Sequence, residues 1–253
     1  MCRLLAWHSS APLTAEQVII PDSNRLAELS RVHCDGWGFA ELSESGRIMT
    51  VMGPEPAHES SQFAHVTQDV ATRNGIVHLR WATGDLAVSL ANTHPFTAQT
   101  PFGDVAFVHN GYIPEPDELV PDIDDDLVAA FRGETDSERY FGLFTTELRH
   151  EGGDIISALR RTTKRLSDQA YTSINAMVLT TTHLAVLCQH KPENRPLDED
   201  EDYFHLNWGV ERGVISAWSM GVRPHAGMRE PLENGTILLI DTRSGDYDIF
   251  PVV

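Results

Sequence analysis

No run of apolar residues in this 253-residue chain approaches the roughly 20 needed to cross a bilayer as a helix, so no membrane span is expected. Basic charge is scarce: 19 Lys and Arg stand against 37 Asp and Glu, a formal net charge of -18. Nucleic-acid backbones and anionic membrane surfaces are gripped by clustered Lys and Arg, so neither is an expected partner. Cysteine is sparse as well. Cys2, Cys34 and Cys188 form an odd set without close pairs, which suits a reducing cytoplasm better than a disulfide framework. The opening Met1-Cys2-Arg3-Leu4-Leu5-Ala6-Trp7 lacks an apolar stretch behind a basic start and a small-residue cleavage site, so it does not read as a secretory signal.

Several chemical signatures are missing too. The 12 histidines include no His-Glu-x-x-His and no His-x-His, and no close cysteine pair accompanies them, so no metal is expected. There is no glycine loop ending in Lys-Ser/Thr and no Gly-x-Ser-x-Gly elbow, which removes the usual grounds for a nucleotide hydrolase or a serine esterase. No cofactor is expected.

What is present reads as one globular domain over residues 1–253, with 41% hydrophobic and 22% charged residues. Helical spacing is expected from Ser23 to Val32, from Ser61 to Val70, from Arg139 to Leu148 and from Asp154 to Leu166. Thr135-Asp136-Ser137-Glu138 fits a capping box that starts the third of these. A hairpin turning at Ser45-Gly46 joins Gly36–Ala40 to Ile48–Met52, and buried strands are expected at Gly75–Trp81 and Val105–Val108. Further strands are expected at Ile174–Leu179, Leu184–Leu187, Gly213–Trp218, Thr236–Ile240 and Tyr247–Val252. The acidic runs Asp122–Asp126 and Asp198–Asp202 are read as solvated loops, and Cys34 and Cys188 as inert fillers. Strands, a helix pair and strands again indicate an α+β fold with helices layered on sheet.

Cys2 stands out, because removal of Met1 would give it a thiol and a free α-amine together. The thiol has an unperturbed pKa of about 8.5 and the amine titrates near 7.7–8.0, so neutral amine is at hand to take the thiol proton. A residue as small as cysteine in second place is compatible with that removal. For a cysteine taken alone, a small apolar residue starting an inner strand is the better account.

Four segments bear on the choice. His78-Leu79-Arg80-Trp81-Ala82-Thr83 ends a strand with a guanidinium whose fork suits either a substrate carboxylate or an internal Asp or Glu. Phe107-Val108-His109-Asn110-Gly111-Tyr112 ends in Asn-Gly, by default a tight turn, yet a side-chain amide beside an unobstructed N–H also suits an oxyanion hole. Asp136 complements a helix dipole or holds a substrate ammonium. Cys34-Asp35-Gly36-Trp37-Gly38-Phe39 either lets backbone pass close to a pocket or simply begins a strand.

Taken in order with Asn92-Thr93-His94-Pro95-Phe96, these motifs resemble the class II glutamine amidotransferases, which are N-terminal-nucleophile hydrolases. The chain is most similar to the small stand-alone members, such as the ergothioneine-pathway hydrolase, which removes a γ-glutamyl group from a sulfur-containing histidine derivative. The resemblance implies a four-layer αββα sandwich with Cys2 at the end of an inner strand. It assigns Cys2 as nucleophile with its freed amine as base, and Asn110 and Gly111 as the oxyanion hole. It gives Arg80 the α-carboxylate of a glutamine-like substrate and Asp136 the α-ammonium, with Trp81, Thr83 and His94 shaping that end. Gly84 departs from the family, some members of which carry histidine there. The implied reaction is hydrolysis of glutamine or a γ-glutamyl amide through a γ-glutamyl thioester. Two alternatives stand beside it: a glutaminase subunit feeding ammonia to a separate synthase, and a silent amino-acid-binding protein that keeps Met1. The sequence sets no oligomeric state.

Overall fold

Period-two alternation is visible in the first strand of the computed structural model, β1 (Arg3–Leu13): Leu4 and Ala6 pack into one core, Leu5 and Trp7 into another. The structure describes residues 2–19, 25–84, 86–197, 199–222, 224 and 229–253. Met1, Ser23, Asn24 and Asp198, each part of an expectation above, lie outside them.

After β1 come α1 (Ala15–Val18), α2 (Arg25–Leu29), the hairpin β2 (Trp37–Leu42) and β3 (Ile48–Gly53), α3 (Ser61–Gln68) and β4 (Thr72–Leu79). A second hairpin, β5 (Phe96–Thr100) and β6 (Gly103–Gly111), leads through α4 (Asp125–Ala129) to the helix pair α5 (Asp136–His150) and α6 (Ile155–Arg165). The chain closes with β7 (Ile174–Thr180), β8 (His183–Cys188), β9 (Leu206–Glu211), β10 (Val214–Ser219), β11 (Glu230–Leu232), β12 (Thr236–Asp241) and β13 (Tyr247–Pro251).

Two sheets result, one ordered β11-β9-β10-β1-β4-β2-β3 and the other β13-β12-β8-β7-β6-β5. Three cores separate four layers. Leu4, Ile76, Val108, Met177 and Val186 fill the space between the sheets. Trp7, Trp37, Phe39, Phe63 and Val66 join the first sheet to α1, α2 and α3. Phe107, Tyr140, Phe144, Leu159 and Ile174 join the second sheet to α5 and α6. Burying each such side chain contributes about 1.5–3 kcal/mol, so both faces of both sheets are committed. The order helix, sheet, sheet, helix is the expected αββα arrangement. Among the described residues no helix is long and apolar enough to cross a membrane.

The helix pair carries a buried ion cluster. Glu147 of α5 has a fully buried side chain and accepts from Arg161 Nε at 2.7 Å and Arg165 Nε at 2.6 Å. Asp154 caps α6 by accepting from the backbone N–H groups of Ile156 and Ser157.

Several expectations are corrected. The strand read to Trp81 ends at Leu79, leaving Arg80 and Trp81 beyond it. Asn110-Gly111 is not a turn: both residues lie in β6, opposite Asn175 and Ile174 of β7. The capping box is half formed, with Thr135 Oγ1 accepting from Glu138 N while the Glu138 carboxylate accepts instead from Arg132 N and Gly133 N. The run at Asp122–Asp126 is not simply solvated, because Asp124 and Asp126 hold Arg149 and Asp122 holds Arg165. Cys188 fills the inter-sheet core, but Cys34 is exposed beside Asp35 and fills nothing.

Candidate active site

Strand pairing assembles the site. β1 and β4 run antiparallel with Arg3 opposite Leu79, so Cys2 and Arg80 emerge side by side at one end of the first sheet. Arg80 N still donates to Gly36 O at 2.8 Å, which extends the ladder past the strand end. On β6 of the facing sheet, Asn110 shares the parity of Ala106 and Val108, whose side chains fill the inter-sheet core. Cys2, Arg80 and Asn110 therefore meet where the two sheets gape. Gly111 has no alternative there, since a Cβ would lie 1.8 Å from Ser173 O.

Trp81 N donates to Cys2 Sγ at 3.5 Å. Burial pushes the Cys2 thiol above its ordinary pKa, and the Trp81 backbone and the Arg80 charge pull it only part of the way back. The resting group is a neutral thiol that needs a base. The strand-end segment is fixed by Asp35, whose carboxylate accepts from Ala82 N at 2.8 Å while its own N–H donates to Arg80 O at 3.1 Å. No such role for Asp35 was read from the sequence; the available signal was its place in Asp35-Gly36-Trp37-Gly38, one of the segments that carry the family resemblance.

The two charged candidates are buried, and the Asp35 and Asp136 charges act on Arg80 from beyond ion-pair contact. Arg80 is 3% exposed and donates from Nη1 to Asp35 O at 3.1 Å. Asp136 is 9% exposed; its Oδ2 accepts from Ile113 N at 2.8 Å and its Oδ1 from Ser137 Oγ at 3.4 Å. Among the described residues neither group has an ion-pair partner within 4.0 Å. Both line an inner cavity of about 30 Å³ that opens on Cys2, together with His94, His109, Thr135 and Ser137.

His94 packs its ring 4.3 Å from that of His78 and 4.8 Å from that of Phe96, and neither ring nitrogen finds a hydrogen-bond partner among the described residues. A Cβ at Gly38 would lie 2.0 Å from His94 O, so the glycine lets β2 back directly onto this loop. Burial holds the pKa of His94 well below its usual value, brings that of His78 to about 3 and lowers that of His109, so the three rings are neutral near pH 7. His109 Nε2 donates to Ser173 O at 3.1 Å, which leaves Nδ1, 2.9 Å from Ser137 Oγ, as an acceptor.

On the other side of Cys2 lies an outer cavity of about 310 Å³. It is lined by Trp81, Thr83, Asn110, Gly111 and Tyr112, and also by Thr172, Pro196, Tyr203 and Phe204, which no sequence motif singled out. Asn110 is 1% exposed and its Oδ1 has no hydrogen-bond partner among the described residues. A larger cavity of about 390 Å³ sits elsewhere, between β5 and α4 and α5, and none of the expected site residues lines it. Among the described residues no three His, Cys, Asp or Glu side chains gather as a metal site would require.

A family model described as glutamine amidotransferases class-II matches residues 1–191. The chain is 29% identical over 175 residues to a putative glutamine amidotransferase of Haemophilus influenzae, covering 66% of this chain and 56% of that protein. It is 38% identical over 102 residues to the glutamine--fructose-6-phosphate aminotransferase of Halobacterium salinarum, covering 40% of this chain and 16% of that protein. The chain thus spans about half, or less, of the length of these curated relatives. Among solved structures, a glutamine aminotransferase class-II domain protein from Silicibacter pomeroyi aligns over 100% of both chains with a TM-score of 0.68 and 19% identity. The glutamine phosphoribosylpyrophosphate amidotransferase of B. subtilis aligns over 100% of this chain and 49% of its own, with a TM-score of 0.64 and 16% identity. At these identities the two structures establish a shared fold.

Proposed function

This chain belongs to the class II glutamine amidotransferases, and from that premise we propose that it hydrolyses the γ-carboxamide of glutamine or of a γ-glutamyl amide, with Cys2 as nucleophile. The observation that carries this reading is the pair of buried charges, Arg80 and Asp136, facing one small cavity beside a thiol with no ion-pair contact for either among the described residues. A buried charge without a partner is costly, and a zwitterionic amino-acid head supplies both partners at once. Arg80 takes the α-carboxylate and Asp136 the α-ammonium, with Thr83, His94 and Trp81 around them. The inner cavity has room for about one water as it stands. Admitting the head requires the exposed segment carrying Trp81 and Thr83 to move outward.

In protein freed of Met1, the neutral α-amine of Cys2 takes the thiol proton. The thiolate attacks the δ-carbon, forming the S–C bond as the carbonyl pair moves onto oxygen. The Asn110 amide and the Gly111 N–H donate to that oxyanion. Collapse breaks the C–N bond, and the α-ammonium returns its proton to the departing nitrogen. Water, deprotonated by the same amine, then attacks the thioester and releases glutamate. Holding the amino acid at both ends supplies much of the rate by positioning.

A diazoketone analogue of glutamine is expected to add one covalent mass at Cys2 in protein whose intact mass lacks Met1. Labelling at another residue, or full activity in protein that retains Met1, would overturn the assignment. A second reading, a glutaminase subunit passing ammonia to a separate synthase, is favoured by one observation: the matched stretch is only 16% of the Halobacterium aminotransferase. It predicts glutaminase activity that rises when a partner is added.

A further inference from the structure

We propose that the outer cavity is a subsite for the leaving amine, and that the amide cleaved carries an uncharged aromatic substituent on its nitrogen. This rests on the hydrolase reading and adds the substrate class to it. The geometry is directional. Arg80 and Asp136 draw the amino-acid head to the inner side of Cys2, so an amide whose carbon sits at Sγ sends its nitrogen substituent to the outer side.

Size argues against ammonia as the only group accommodated there. Ammonia is about as large as water, which takes roughly 30 Å³ of liquid volume, whereas the outer cavity measures about 310 Å³. Its chemistry argues for a planar apolar group. Trp81, Tyr112, Tyr203 and Phe204 supply aromatic surface, Pro196 and the Thr83 and Thr172 side chains complete the wall, and none of the described residues lining it is charged. Trp81 is 44% and Tyr112 38% exposed. Large rings left partly uncovered beside a nucleophile are what an aromatic ligand would cover.

The wall is built, not incidental. Phe204 is buried against His190, its ring centroid 6.0 Å away, and stands 5.2 Å from the Tyr203 ring. Asn175 Nδ2 donates to Phe204 O at 2.6 Å, which ties the end of the long β8–β9 connection to β7 at the strand position opposite Asn110. The aromatic pair is thereby fixed across the cleft from Trp81.

The test compares kcat/KM for glutamine, γ-L-glutamyl methylamide, γ-L-glutamyl benzylamide and γ-L-glutamyl phenethylamide, using full-length protein lacking Met1. The aromatic amides are expected to exceed the methylamide by at least about tenfold, the scale on which apolar pockets discriminate. Tyr203→Ala should remove most of that preference and Tyr203→Phe should keep it. Benzylamine should inhibit the wild-type protein competitively, a readout that needs no variant. Equal or better turnover of glutamine and the methylamide would overturn the subsite and leave the hydrolase standing. Labelling of Cys2 by the diazoketone without cleavage of any aromatic amide would likewise overturn the subsite alone. Failure of every amide together with failure to label would overturn both readings.

Discussion

Two regions of this molecule bury charge, and they do so in opposite ways. On the seam of α5 and α6, Glu147 is enclosed by Arg161 and Arg165, and its carboxylate is satisfied within the fold. At the open end of the two sheets, Arg80 and Asp136 are equally sequestered but meet only neutral donors and acceptors. A paired charge spends its field on the fold. An unpaired one keeps it for a ligand, so the first arrangement should serve stability and the second function.

The comparison breaks most visibly at Cys2. Cys2→Ala should lower amide hydrolysis on the order of 10³-fold or more, since no other group supplies the sulfur. The melting temperature should stay within a few degrees of wild type, because the thiol makes only long, weak contacts with the Trp81 backbone. Hydrolysis that survives the substitution, measured as glutamate release, would move the chemistry elsewhere.

Next come the unpaired charges. Arg80→Lys and Asp136→Asn should each reduce kcat/KM by about a hundredfold, the cost of leaving one substrate charge without its partner. Neither should lower the melting temperature appreciably, since no internal ion pair is lost. If either variant destabilises the fold while sparing kinetics, the charge is structural after all.

Glu147→Gln should do the reverse. Burial works to raise the Glu147 pKa, but hydrogen bonds from Arg161 and Arg165 outweigh it and hold the carboxyl below its usual range. The stabilisation is therefore present above pH ~4.5 and lost as pH falls through the depressed folded value. Both arginine side chains are about half exposed and can rehydrate, so the loss should be about 2 kcal/mol rather than the full cost of a broken buried pair. At roughly 2–4 °C per kcal/mol for a chain of this size, that is a drop of about 4–8 °C. Calorimetry checks it, and unchanged kcat/KM in the same protein sharpens the contrast.

How much of this was legible depends on whether the signal is local. The Ser45-Gly46 hairpin and the α5 cap at Thr135 are short-range patterns, and they reappear in the fold. β5 was missed because Pro95 and Pro101 bracket five residues, four of them small or polar, and an edge strand needs little apolar content. Asn110-Gly111 read as a turn because local chemistry says so. What forces the glycine instead is Ser173 O on the neighbouring strand, a contact no local window contains. Cys2, Arg80, Asn110 and Asp136 were nameable because each sits in a distinctive motif. Tyr203 and Phe204 follow an acidic run and have no motif; only the Asn175 anchor reveals which cleft they wall.

The mildest effect separates the two regions by pH alone. His78, fully buried between the sheets, has its pKa lowered to about 3 by burial, with the Arg80 and His109 charges acting in the same direction. Unfolded, the same ring titrates near 6.5. Between these values the unfolded chain holds a proton that the folded chain does not, so stability rises with pH through this window and is complete only above about 6.5. Each unit below that costs about 1.4 kcal/mol, so His78 alone should remove about 1.4 kcal/mol at pH 5.5. Glu147, which titrates lower, contributes nothing to that loss. Urea unfolding at pH 7.0 and 5.5 should therefore show a lower midpoint at the acid value, and His78→Gln should shrink the difference while Glu147→Gln leaves it intact. Equal wild-type midpoints would mean that the ring beneath the candidate site is hydrated enough to accept a proton, and that the inner end of the cleft is wetter than its packing against His94 indicates.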